Sequence, residues 1–333
     1  MRLVYLYKPV VPMFFIFWSV LLGFTIEGQS KENFDELINH FQNPSKRRVL
    51  DLSHFRLEKI SKGISFFRNL EWLQLKGNQL TALPKEIGNL RNLKGLYLNE
   101  NQLTSLPKEL GRLKNLQELY LYYNYLTYLP EEIGNLENLR ELLLDHNSLR
   151  ALPARIGNLK SLRKFEISHN VLLEIPKEMG QLQNLQVLNL LSNQLSDLPK
   201  EIGQLLNLKN LYLDRNSIVI LPKEIGRLQN LETLSIYGNL LETLPEEIGQ
   251  LQNLKELDLS NNQISSLPKE IGQLKNLRIL HLRNNPITHL PEELWQLQGL
   301  EELILNSNSF SEEERKKNAE RLPKCKIYYI HSI

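Results

Sequence analysis

Asparagine recurs every 23 residues, at Asn78, Asn101, Asn124, Asn147, Asn170, Asn193, Asn216, Asn239, Asn262, Asn285 and Asn308, with no insertion or deletion between copies. Proline keeps the same step from Pro84 to Pro291. A fixed period of this length marks a chain built by stacking one supersecondary unit, and it constrains the fold before any other property does. The unit from Leu70 reads LEWLQLKGNQLTALPKEIGNLRN, in general LxxLxLxxNxLxxLPxEIGxLxN. A degenerate earlier copy starts near Arg47. There Leu50, Leu52, Leu57, Ile60, Ile64 and Phe67 keep the apolar phase, and Phe55 replaces the asparagine. Twelve repeat strands are expected.

Each residue type in the unit has a physical task. Leu73 and Leu75 alternate with Trp72, Gln74 and Lys76, so the leucines point inward from a short strand and the others outward. Leu80, Leu83, Ile87 and Leu90 fill the same interior from the far side. The asparagine sits where the strand turns away, and its amide can serve backbone groups the turn leaves unpaired. In Pro84-Lys85-Glu86-Ile87-Gly88 the proline opens a brief helical turn and the glycine is expected to close it. Parallel strands at ~4.8 Å give a sheet on the order of 55 Å long. The expected fold is an α/β solenoid horseshoe. A parallel β-sheet lines its concave face and short helical turns form its convex face.

The ends differ from the repeats, as terminal units must. Residues 1–30 carry Arg2 and Lys8, an uncharged run from Val10 to Ile26, and small residues at Gly28 and Ser30. That pattern reads as a secretory leader, or else as an uncleaved N-terminal anchor. Residues 31–46 form an N-terminal cap with Phe34, Leu37, Ile38 and Phe41 at helical spacing. The solenoid occupies 47–308. Residues 309–333 form a C-terminal cap: Ser311 caps a helix running to Leu322, Pro323 breaks it, and Ile327 to Ile330 read as a closing strand. Cys325 is expected to be buried in that cap, and Trp295, which replaces the turn glycine, to pack against it.

The LPxEIGxLxNL unit resembles the bacterial leucine-rich repeat family, most closely the multi-copy set of pathogenic spirochaetes. FDELINHFQNPSKRRVLDLS and NSFSEEERKKNAERLPKCKIYY resemble the caps of that set. The resemblance implies a horseshoe without catalysis, exported, and adhering to host cell-surface or matrix proteins. The same repeat occurs in intracellular scaffolds of eukaryotes, so it does not by itself set the compartment. The expected location is therefore secreted or cell-surface, with the periplasm as a further possibility. The competing reading is a scaffold retained in the envelope that binds the bacterium's own proteins.

Composition narrows the chemistry. Forty basic against 38 acidic residues leave a net charge of +2, which argues against a broad nucleic-acid footprint. A single cysteine excludes a disulfide framework within the chain. No phosphate loop, dinucleotide fingerprint or nucleophile elbow occurs, so no cofactor is expected. The candidate partner-binding residues are outward strand positions: Trp72, Tyr97, Tyr120, Tyr122 and Leu143, with a sparser group at Val187, Leu191, Tyr212 and Tyr237. Tyr123, Tyr125 and Tyr128 crowd the adjoining edge. Outward aromatics on a rigid sheet match interface composition, although they also suit ladder packing that stabilises the sheet. Val171, Leu173, Val219, Ile220 and Leu240 are apolar at loop positions that are polar elsewhere. His146 and His169 occupy one slot in adjacent repeats, with Asp145 and Ser168 nearby. That leaves open a divalent-metal site, set against the reading of plain solvated edge residues.

Overall fold

The structure, a computed structural model, describes residues 44–331. The leader over 1–30 and the cap helix expected over 33–41 lie outside the described residues. Among those described, thirteen strands form one sheet in strict chain order. The strand Val49–Asp51 pairs in parallel with Trp72–Gln74, and that with Gly95–Tyr97. The pattern continues to Glu302–Asn306 and the closing strand Lys326–Ile330. Between repeats the register offset equals the sequence period, so Leu73, Leu96, Leu119, Leu142 and Phe165 stand side by side, all fully buried. The last pairing departs from the period: Glu302 stands beside Lys326, 24 residues on, because the cap is not a repeat.

Opposite the sheet each repeat makes one five-residue 3-10 turn, such as Lys85–Asn89, entered from Pro84 at φ −69° and closed by the Leu90 N–H donating to the Ile87 carbonyl. The glycine does not close this turn. It lies inside the turn, and no left-handed φ is found at Gly88, Gly111 or their equivalents through Gly272. Its purpose is close approach. A Cβ on Gly88 would stand 2.3 Å from the Glu109 carbonyl oxygen of the next turn, and one on Gly157 2.3 Å from that of Glu178. Only hydrogen fits between consecutive turns. The stack ends at Trp295, which fills the glycine slot and packs against the core, with the Arg321 guanidinium 5.1 Å above its ring.

The period asparagines work as one device. Asn101 accepts from the Leu80 N–H at 3.0 Å and donates to the Leu75 carbonyl of the preceding repeat and the Leu98 carbonyl of its own, at 2.9 and 3.0 Å. The same three bonds recur at each period asparagine from Asn78 to Asn285. The side chain of Asn308 lies outside the described ones. A second ladder runs along the opposite end of the strands, where Asn92 donates to the Arg68 carbonyl at 3.0 Å and Asn115 to that of Arg91 at 2.8 Å. Asn69, Asn138, Asn184, Asn207, Asn230, Asn253 and Asn276 repeat it. This is the asparagine that closes the 23-residue consensus, and its bond to the preceding repeat is not evident from spacing alone.

At the C-terminus the helix Glu312–Arg321 starts with a capping box: the Glu314 N–H donates to Ser311 Oγ, and the Ser311 N–H to the Glu314 carboxylate at 2.7 Å. Cys325 is half-buried against the core, and burial, then the Glu302 charge, pushes its thiol up to about 11, so little thiolate forms at neutral pH. No helix among the described residues is long and apolar enough to cross a membrane.

Candidate functional site

The outward aromatics join into one unbroken string. Trp72 stacks with Tyr97, ring centroids 6.3 Å apart and 13° from parallel. Tyr97 meets Tyr120 edge-on at 4.9 Å, Tyr120 meets Tyr122 at 6.4 Å, and Tyr122 meets Tyr123 at 6.0 Å. Tyr123 then stacks on His146, and His146 on His169, each at 4.2 Å and within 10° of parallel. Seven rings thus cross five repeats. The string starts at the first outward strand position with Trp72, moves to the second at Tyr97 and Tyr120, then to the third at Tyr122. It leaves the strand at the residue before the period asparagine.

Backbone geometry places each part. Trp72 has room because its neighbour in register is Gly95: a Cβ there would lie 2.3 Å from the indole Cε3. The indole therefore covers bare backbone. Tyr123, His146 and His169 all have left-handed backbone, at φ 55°, 52° and 51°. That slot is left-handed in every repeat from His54 to Asn284, and Gly77, Gly238, Asn261 and Asn284 fill it as expected for residues at ease there. The chain accepts strain at Tyr123, His146 and His169 and obtains parallel side chains one strand apart.

The phenols are already engaged. The Tyr97 hydroxyl donates to Glu118 at 2.5 Å and the Tyr120 hydroxyl to Glu141 at 2.7 Å, each carboxylate one repeat further along. Burial first, then these carboxylates, push both phenols far above their ordinary range. Lys76 pairs with Glu100 and Lys164 with Glu166. No ion pair among the described residues reaches Glu118, Glu141 or Asp145. Asn99, 2% exposed and in one row with Lys76 and Tyr122, keeps its Nδ2 without a hydrogen-bond partner.

Other expected residues fall elsewhere. Leu143 faces outward in register with Tyr120 but is only 8% exposed, so it offers a partner almost no area. Tyr212 and Tyr237 are half-buried on the later strands and outside the string; the Tyr237 N–H donates to Asp214. Val187 and Leu191 are likewise half-buried. Tyr125, Tyr128, Leu173, Val219, Ile220 and Leu240 are exposed along the loop edge. The metal reading fits poorly: the His146 and His169 rings lie face to face, so their nitrogens do not converge, and Asp145 accepts from both the Ser168 N–H and its hydroxyl. No group of metal ligands is found among the described residues. Ser168, its hydroxyl turned to Asp145, has no activating base.

The sequence matches the family model described as leucine-rich repeat region over residues 31–172, 153–240, 200–262 and 246–323. The chain belongs to the leucine-rich repeat family. A leucine-rich repeat protein of Leptospira interrogans has a similar structure, with 37% identity and a TM-score of 0.57, over 88% of this chain and 98% of that one. A plant peptide hormone receptor, solved in complex with its peptide, is similar at 32% identity and TM-score 0.73, over 85% of this chain and 47% of the receptor's. The ectodomain of an Arabidopsis thaliana membrane receptor kinase, also solved in complex, is similar at 27% identity and TM-score 0.67, over 94% of this chain and 46% of that one. Among curated proteins none matches by sequence. Leucine-rich repeat proteins of this kind are protein-interaction scaffolds rather than enzymes as a rule, and both of these plant receptors are solved in complex with a partner.

Proposed function

We propose that this leucine-rich repeat protein is an exported, non-enzymatic interaction module that docks a protein partner on the concave face, centred on Trp72, Tyr97, Tyr120, Tyr122 and Tyr123. The observation that carries this reading is the seven-ring string on a sheet face whose other outward positions are mostly polar. Large, rigid side chains give contact area at low entropic cost, and such residues dominate interface energetics. Export is supported by the charged start and apolar run of residues 1–30. A host cell-surface or matrix protein as partner is supported by the resemblance to spirochaete proteins of this repeat type and by similarity to the Leptospira interrogans structure. The test is a panel of immobilised matrix and cell-surface proteins, probed with wild type and with Tyr97→Ala/Tyr120→Ala. A panel protein bound by wild type should lose more than about 2 kcal/mol with the double variant. Equal binding by both, with the variant folded, removes the assigned face. Mass spectrometry of the mature N-terminus, with protease shaving of intact cells, tests export: a start near Lys31 and loss on shaving are the expected results.

A further inference from the structure

The charge pattern around the string identifies the chemistry of its partner. On the outward positions from Trp72 to His169 the carboxylates are Glu100, Glu118, Glu141, Asp145 and Glu166, against Lys76 and Lys164. Both lysines are spent, on Glu100 at 3.2 Å and Glu166 at 3.0 Å. Glu118, Glu141 and Asp145 are left without a cation among the described residues, in a chain whose net charge is +2. Glu118 and Glu141 each take one phenolic hydrogen and keep further acceptor sites. The same two bonds anchor the Tyr97 and Tyr120 hydroxyls, and ring faces carry the negative end of their quadrupole.

We propose that the string and its flanking carboxylates form a docking track for a basic segment of a partner protein, an extended stretch bearing arginine or lysine. This rests on the concave-face reading above. The track crosses four strand spacings of ~4.8 Å, about 20 Å, which an extended segment of about six residues spans. A guanidinium can lie on a tyrosine face and bond a carboxylate with its edge, which suits rings and carboxylates that alternate. An acidic or wholly apolar segment would strip water from three carboxylates and return nothing.

The test is fluorescence anisotropy of a labelled nona-arginine peptide, with nona-glutamate as counterpart, against wild type and two double variants. Glu118→Gln/Glu141→Gln keeps the shape and the phenolic acceptors but removes two charges; Tyr97→Ala/Tyr120→Ala removes the rings. Nona-arginine should bind, weaken by about tenfold or more with each double variant, and weaken as salt rises, while nona-glutamate should not bind. Full affinity in the glutamine variant, or equal binding of nona-glutamate, overturns the inference. The matrix and cell-surface panel separates this from failure of the docking reading. A panel protein lost with the tyrosine variant but kept by the glutamine variant overturns the basic-segment proposal alone, and one kept by both overturns the concave face as well.

Discussion

The imidazoles of His146 and His169 lie face to face, 4.2 Å between centroids and 9° from parallel, each on a residue with left-handed backbone. Burial first, then the neighbouring His146, holds His169 below its ordinary range; Asp145 opposes this and Arg215 adds to it. His281 is set the other way. It lies between Asp258 and Glu302, at 3.5 and 3.0 Å, and the Asp258 bond raises it against the cost of burial. For His169 the unfolded chain binds the proton more readily, so its contribution to stability is present above about pH 6.5 and is lost as pH falls below that. For His281 the sign reverses: its contribution is present below about pH 6.5 and is lost as pH rises through the higher folded value. An NMR titration of the imidazole protons should order them, His169 below His281. In His146→Gln the His169 midpoint should move up, and an unmoved midpoint would contradict the stacked arrangement.

Gly95 and Trp72 form a lock of the same directness. Gly95→Val places a branched side chain where the indole lies. The ring must leave the sheet, and the emission of Trp72 should shift to the red with loss of its near-ultraviolet dichroism. The solenoid should keep its far-ultraviolet spectrum, since Gly95 faces outward from the core.

The inter-turn glycines predict a sharp contrast. Gly157→Ala drives a methyl to 2.3 Å from the Glu178 carbonyl oxygen and should cost about 1–3 kcal/mol in urea unfolding. Gly299→Ala is the control. Its new Cβ meets nothing closer than the Arg278 guanidinium at 3.6 Å, so stability should change by less than about 0.5 kcal/mol.

Left-handed strain can be measured without steric complication. Gly238→Ala keeps open space around the new Cβ, with the nearest atom at 3.6 Å, but retains φ 68°. It should lose about 1 kcal/mol. Ser192→Gly, at φ 53°, should gain a similar amount. Opposite signs in thermal denaturation are the expected result; equal signs would mean the slot carries no strain.

Loss of one period asparagine is expected to be costly. Asn193→Ala leaves the Leu172 N–H and the Ile167 and Leu190 carbonyls short of a partner in the core. Unsatisfied buried groups cost about 1–3 kcal/mol each, so the total should exceed about 2 kcal/mol by urea titration. Asn184→Ala, in the second ladder and exposed, should cost less than half of that.

The fold was readable because the period fixes register by itself: once Asn78 and Asn101 share a phase, Leu73 must stand beside Leu96. The helix beginning after Ser311 followed equally directly from its capping sequence. The site was readable only in part. Trp72, Tyr97, Tyr120 and Tyr122 could be placed on the concave face from alternation alone. Alternation does not report the cover over Leu143, nor the backbone window that Gly95 opens for Trp72. His146 and His169 invited a metal reading because sequence gives their separation but not their ring planes. A signal was present there: the residue before each period asparagine is glycine or asparagine four times between Gly77 and Asn284, a hint of left-handed backbone and of side chains set parallel. The glycine of the turn misled for a related reason. Glycine serves both chain reversal and close approach, and only the position of the Glu109 carbonyl distinguishes them.

The unbroken 23-residue step has a consequence for how such a chain can change. Because the junctions on either side of it use the same buried leucines, the same two asparagine ladders and the same glycine clearance, the unit from Leu185 to Asn207 can be cut out whole. Asn184 then meets Leu208 as it met Leu185 before. The shortened protein would keep all seven rings while its C-terminal helix moved one strand closer to them. Length is therefore a dial that turns in whole clicks, and the surface a partner meets can be lengthened or trimmed without redesigning the interior.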